Sequence, residues 1–172
     1  LMQRYKYKNS YVKKVYPRKR WASNIFTENM ICTVLAQQNS AFASTTICSN
    51  APQTATPTPV ILKFGRCKVK GDVRTNLDNE LNFVSCTMYL VYYPEGYPIG
   101  MDLIKLHPEY IIGWTTISLD TGNTFTFSSP LKRNLNSGDR IMMFFDVSAT
   151  NTTQFTRAFN FYYTAQFWTT SA

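Results

Sequence analysis

The stretch FTRAFNFYYTAQFW, Phe155 to Trp168, alternates with a period of two. Phe155, Phe159, Phe161, Tyr163 and Phe167 fall on one parity, interrupted by Arg157, while Thr156, Asn160, Thr164 and Gln166 fall on the other. Successive side chains of a strand point to opposite faces, so this pattern predicts one long strand with an apolar side toward a core and a polar side toward water or a neighbour. Just upstream, Ile141, Met143, Phe145 and Val147 repeat the alternation against a less uniform opposite face. Two adjacent strands of this kind predict a sheet with one buried side.

Working outward, six further extended segments bring the expected number to eight: Ile25 to Gln38, Ala41 to Ser49, Val60 to Val73, Asn82 to Tyr93, Tyr110 to Leu119, and Thr124 to Ser129. Between the second and third lies NAPQTATPTP, Asn50 to Pro59, whose prolines exclude it from a sheet interior and predict a surface loop. The third segment changes apolar parity. Val60, Leu62 and Phe64 share one side and Cys67, Val69 and Val73 the other, which predicts a β-bulge at Gly65. In the fourth, Val84, Cys86, Met88, Leu90 and Tyr92 share a face, and the opposite face (Phe83, Ser85, Thr87, Tyr89, Val91) is mixed, as expected of a central strand covered on both sides. The fifth has Ile111, Ile117 and Leu119 on one parity; Asp120-Thr121-Gly122-Asn123 is a turn signal, and Met101 to Leu106 is expected to form one helical turn. The fold class expected is all-β: an eight-stranded antiparallel jelly-roll sandwich preceded by a basic N-terminal arm.

Composition agrees with this. The 172 residues include twelve Phe, eleven Tyr and three Trp, a bias toward strands. The length suits one domain, and we divide the chain into an arm, residues 1–21, and a jelly-roll domain, residues 22–172. No apolar run is long enough to span a bilayer, so no membrane insertion is expected. Cys32, Cys48, Cys67 and Cys86 stand singly on separate segments with no CxxC pair, which predicts buried free thiols in a reducing compartment. The sequon Asn151-Thr152-Thr153 then carries little meaning.

The whole net charge of +8 resides in the first 20 residues. Arg4, Lys6, Lys8, Lys13, Lys14, Arg18, Lys19 and Arg20 come before the first acid, Glu28, and the rest of the chain is formally neutral. Tyr5, Tyr7, Tyr11, Tyr16 and Trp21 are interleaved with these cations. Cations neutralise phosphates, and aromatic rings stack on unpaired bases, a combination that suits single-stranded nucleic acid better than a duplex. The candidate binding residues are therefore Arg4, Tyr5, Lys6, Tyr7, Lys8, Lys13, Lys14, Arg18, Lys19, Arg20 and Trp21. A nuclear import signal at Lys13-Lys14 and Arg18-Lys19-Arg20, an anionic membrane surface, and tyrosines packed under the body remain open. A secondary candidate set, Arg66, Lys68, Lys70 and Arg74, shares even parity on the third segment, with Lys132, Arg133 and Arg140 near a later turn. These residues could extend the arm's field across the body or form a solvated face paired with Asp72.

Signatures of chemistry are missing. His107, the single histidine, lies in Leu106-His107-Pro108-Glu109, and there is no G-x-S-x-G, P-loop or G-x-G-x-x-G sequence. Asp72, Asp78 and Glu80 come nearest to a cation-binding cluster and read more simply as solvated turn acids. No enzyme activity, cofactor or metal is expected.

Three segments carry a resemblance: His107-Pro108-Glu109-Tyr110 through Trp114-Thr115-Thr116-Ile117-Ser118; Leu131-Lys132-Arg133-Asn134-Leu135-Asn136-Ser137-Gly138-Asp139; and Tyr163-Thr164-Ala165-Gln166-Phe167-Trp168. With the arm, they make the chain similar to capsid proteins of small circular, Rep-encoding single-stranded DNA viruses, the circovirus-like group. The resemblance implies a virion protein that self-assembles into a small icosahedral shell of about sixty subunits, with arms turned inward onto a single-stranded DNA genome. It also implies assembly in the host nucleus, contact with host import factors, and a cell-surface receptor met by outer loops. The arm departs from the group in being short and mixing five Lys with three Arg. Because the chain opens on Leu1, further basic residues upstream are an expectation.

Two other readings compete. A single-stranded nucleic-acid-binding β-barrel without shell formation predicts an exposed stacking platform. A carbohydrate-binding β-sandwich predicts a sugar site lined by residues such as Tyr92, Tyr93 and Tyr97, and leaves the arm without a role.

Overall fold

In a computed structural model, residues 20–50, 61–75, 84–118, 122–149 and 155–171 are described. Among them are nine antiparallel strands: β1 (Ala22–Val34), β2 (Ser40–Ser49), β3 (Leu62–Thr75), β4 (Val84–Tyr93), β5 (Ile111–Ser118), β6 (Thr124–Ser129), β7 (Arg133–Leu135), β8 (Arg140–Ala149) and β9 (Arg157–Ser171). The helical content of the described residues is one short helix, α1 (Met101–Leu106), and a single 3-10 turn at Pro108–Tyr110. The fold is an all-β sandwich of two sheets. One runs β1-β9-β3-β6, with β7 also on β3, and the other runs β2-β8-β4-β5. The pairings are nested: β1 with β9, β2 with β8, β3 with β6 and β7, β4 with β5, and successive pairs alternate between the sheets.

The alternation in β9 works as the sequence predicts. Phe159, Phe161, Tyr163, Ala165 and Phe167 are buried, and Phe145 of the facing sheet lies 4.5 Å from the Phe161 ring and 5.4 Å from Tyr163, centroid to centroid. Phe64 stacks on Phe167 at 5.3 Å. Met88, Leu90, Ile141, Met143 and Val147 complete the seam between the sheets. Arg157 stays on the inward parity; it is buried over the Phe159 ring, with its Nε and Nη1 unpartnered among the described residues. Phe155 departs from expectation, being 72% exposed because β9 begins two residues after it.

Other differences have local causes. The strand beyond the expected eight, β7, is a three-residue piece that continues the edge of β3 beyond β6. The first strand ends at Val34 and not at Gln38, because Gln38 N–H donates to the Leu35 carbonyl in a turn whose Gln37 has φ 62°. In β5 a register shift opposite Leu90 and Val91 breaks the expected parity. Ile111 packs outward beneath α1, while Ile112 and Ile117 join the main core. The helical turn at Met101–Leu106 is present, and its Leu103 and Ile104 cover Val91, Tyr93, Met142 and Phe144. This cap explains why β4 and β8 are apolar on both sides.

A buried carboxylate ties the strand ends together. Asp139 accepts hydrogen bonds from Tyr92 OH (2.6 Å), Asn136 N–H (2.9 Å) and Glu95 N–H (3.1 Å), and its carbonyl accepts from Asn50 N–H. Burial, then the bond to Asp139, pushes the Tyr92 phenol up to about 12. Removing the carboxylate leaves three donors short of partners. Asp139→Ala is accordingly expected to cost about 3 kcal/mol in urea unfolding; a loss below about 0.5 kcal/mol would show that water replaces the carboxylate.

The four thiols are free, and Cys32, Cys67 and Cys86 are buried. Burial pushes Cys32 and Cys48 up to about 11 and Cys67 up to about 12, with Cys86 raised as well. Above about pH 9 the unfolded chain releases these protons while the folded chain keeps them, so stability falls as pH rises toward the folded values. The urea midpoint, measured under reducing conditions, is expected to drop between about pH 8 and about pH 10.5. A flat profile would contradict buried thiols.

Candidate nucleic-acid interface

The outer face of the β1-β9-β3-β6 sheet carries the secondary basic set. Beyond the bulge, Lys68 lies opposite Gln166, Lys70 opposite Thr164 and Arg74 opposite Asn160. Arg66, Lys68, Lys70 and Arg74 are all exposed, as their shared parity predicts. Arg74 Nε donates to Asp72 at 3.1 Å and its guanidinium lies 5.3 Å from the Tyr162 ring, so Arg74 and Asp72 neutralise one another. Arg66, Lys68 and Lys70 have no ion-pair partner among the described residues. The paired reading therefore holds at Arg74 alone.

The bulge organises this face. Between the pairs Phe64 with Thr169 and Cys67 with Phe167, Gly65 and Arg66 of β3 stand opposite the single residue Trp168 of β9. On its other edge β3 pairs Phe64 with Arg133 and Cys67 with Ser129, so the β6-to-β7 connection, Pro130 to Lys132, spans the same gap. Both neighbours of β3 thus yield at one point. Trp21 fills the opening: a Cβ on Gly65 would lie 2.7 Å from Trp21 Cζ3 and 3.3 Å from the Trp168 carbonyl oxygen. Lys132 Nζ sits 5.4 Å from the Trp21 ring.

Of the primary candidates, Arg4, Tyr5, Lys6, Tyr7, Lys8, Lys13, Lys14, Arg18 and Lys19 lie outside the described residues. Arg20 is exposed, and its carbonyl accepts a hydrogen bond from Thr170 Oγ1 at 3.0 Å. Trp21, assigned to the arm by its neighbours in sequence, lies half-buried on the sheet. The chain therefore meets the sandwich beside the cationic face. Trp168 and Gln166 were not among the sequence candidates, whereas Lys132, one of the late cations expected near a turn, is brought beside Trp21. Trp168 could have been found from the same bulge, because an extra residue at Gly65 turns its neighbours away from the regular pleat. The other late cations leave this track: Arg133 lies 3.9 Å from the Tyr92 ring and Arg140 5.4 Å from the Tyr93 ring.

His107 Nδ1 lies 2.9 Å from Glu109 Oε1 and the ring stacks on Tyr110 at 4.8 Å; this contact lowers the Glu109 carboxyl. No metal-holding group of side chains occurs among the described residues, and Asp78 and Glu80 lie outside them. The sequon and the proline-rich loop from 51 to 60 also lie outside. Tyr92 and Tyr93 are buried, Tyr93 with its hydroxyl bonded to the Pro98 carbonyl, so they cannot line a sugar site with the exposed Tyr97. No protein-family model matches the chain, and no curated protein is significantly similar to it.

The close approach at Gly65 gives a direct test. Gly65→Ala is expected to displace the Trp21 ring, shifting tryptophan emission to longer wavelength while the far-ultraviolet circular dichroism stays that of the parent. Unchanged emission would mean that Trp21 does not rest on the bulge.

Proposed function

We propose that the protein is a jelly-roll capsid protein that self-assembles into a small icosahedral shell and packages single-stranded DNA through its basic arm. The observation that carries this reading is where the arm joins the body: Arg20 and Trp21 lead onto a sheet face whose cations Arg66, Lys68 and Lys70 lack ion-pair partners among the described residues. The cations of the arm and the cationic face of the sheet then form one electrostatic track for phosphates. The nested pairing, first strand with last and second with next to last, alternating between two four-membered sheet orders, is the connectivity of a rolled double Greek key and supports the jelly-roll reading.

Self-assembly draws support from the apolar surface. Ile25, Ile31, Leu35, Phe42, Trp114 and Phe155 are at least half exposed on the single chain. Repeated interfaces in a closed assembly would cover such side chains, each modest contact being multiplied by symmetry. In this reading the protein is a non-enzymatic structural component of a virion, with the arm's Lys13-Lys14 and Arg18-Lys19-Arg20 serving nuclear import before assembly.

Electron microscopy and sedimentation of the purified chain, with absorbance at 260 and 280 nm on the same sample, test the proposal. Uniform closed particles with raised 260 nm absorbance are expected. Replacing the eight arm cations by Ser should remove the co-purifying nucleic acid and leave the fold intact. A monomer persisting across salt and pH would overturn the shell and favour the non-assembling single-strand binder.

A further inference from the structure

The bulge in β3 opens onto two adjoining hollows that share Arg66 and Trp168. One, of about 280 Å³, is walled by Trp21, Gly65 and Lys132 in addition to the shared pair. The other, of about 460 Å³, adds Lys68, Ser128 and Gln166. The larger falls within the ~300–1,000 Å³ range of small-ligand sites and the smaller lies just below it. Neither is lined by a carboxylate, and β3's acid, Asp72, is held by Arg74 further along the strand.

We propose that these hollows form a fixed site for one nucleotide of single-stranded DNA on the folded body, distinct from the arm. The base lies against Trp21 and Trp168, and its phosphate lies between Arg66 and Lys68. For the identity of the ligand this rests on the nucleic-acid reading above. Several observations converge on it. The indoles supply apolar faces that accept any base, and such stacking carries affinity with little sequence preference. Arg66 and Lys68 are exposed cations without a counter-charge among the described residues, so the complementary ligand is an anion. Arg66 belongs to both hollows, placing a planar guanidinium where a base and its phosphate join. Ser128 and Gln166, whose Nε2 also donates to Ser23 Oγ at 3.2 Å, offer polar atoms to a base edge without the carboxylates that would repel a phosphate. Gly65 is required at this point, because any side chain there would occupy the space of the Trp21 ring.

The arm and this site are separable by experiment. The 172-residue chain with its eight arm cations replaced by Ser, but Trp21 kept, is titrated with a short 5′-phosphorylated oligothymidylate while tryptophan fluorescence is followed. The same oligonucleotide without bases serves as the control. Expected are saturable quenching by the intact oligonucleotide and binding weaker by about tenfold for the abasic one, the order of effect of one lost stack. In the same background Trp168→Ala should weaken the intact oligonucleotide about tenfold and leave the abasic one unchanged. Arg66→Glu with Lys68→Glu, both on exposed positions, should weaken both and reduce the dependence on salt. Equal binding of intact and abasic oligonucleotides, or parental affinity in both variants, would overturn the site. That failure would leave untouched the nucleic-acid content of particles from the unaltered chain, which tests the arm. Empty particles together with specific quenching would sink the arm reading and uphold the site.

Discussion

The sandwich depends on β9 entering between β1 and β3. It is paired along its length on both sides: thirteen rungs join it to β1, from Ala22 with Thr169 to Val34 with Arg157, and a second ladder joins it to β3. Its inward side chains also supply much of the core seam against Phe145. Without β9, β1 has no partner in its sheet and β3 keeps only β6 and β7. Contacts this distant in sequence require a large loop to close before they return any energy, so this pairing dominates both the topology and the time needed to reach it.

The core residues follow from that arrangement, while the exceptions come from places where two elements compete for one surface. The period-two reading found β9, β8 and β4 because each buries one parity against the opposite sheet, a local pattern that tertiary context reinforces. It located the bulge at Gly65 because the apolar parity itself changes there. It misjudged β5, where a register shift against β4 sends Ile111 beneath α1 and Ile112 into the core; a bulge in a short strand leaves too few residues for the change in parity to be seen. Phe155 was counted with the core because it continues the alternation, but pairing ends at Arg157 and the ring is left outside.

The candidate interface was partly legible. The even parity of Arg66, Lys68, Lys70 and Arg74 predicted a shared face, and all four are exposed. What parity could not convey was which cations would be neutralised. Arg74 meets Asp72 two residues away on the same strand face, whereas Arg133 and Arg140 settle on Tyr92 and Tyr93. Nor could it place Trp21 on the sheet, since that contact links the start of the sandwich to the bulge in β3 and the end of β9. Cation charge is written in the sequence; its compensation is a property of the assembled sheet.

The meeting of Trp21, Gly65 and Trp168 has one more consequence. Trp21 precedes β1 and Trp168 lies near the end of β9, so the indole-walled hollow has no existence in a chain whose first and last strands have not joined. β9 follows the other described strands in sequence, so a subunit in which it has not yet paired with β1 carries the arm's charge but no pocket. The hollow is thus a reporter of closure: it is present only where the two ends of the sandwich have met.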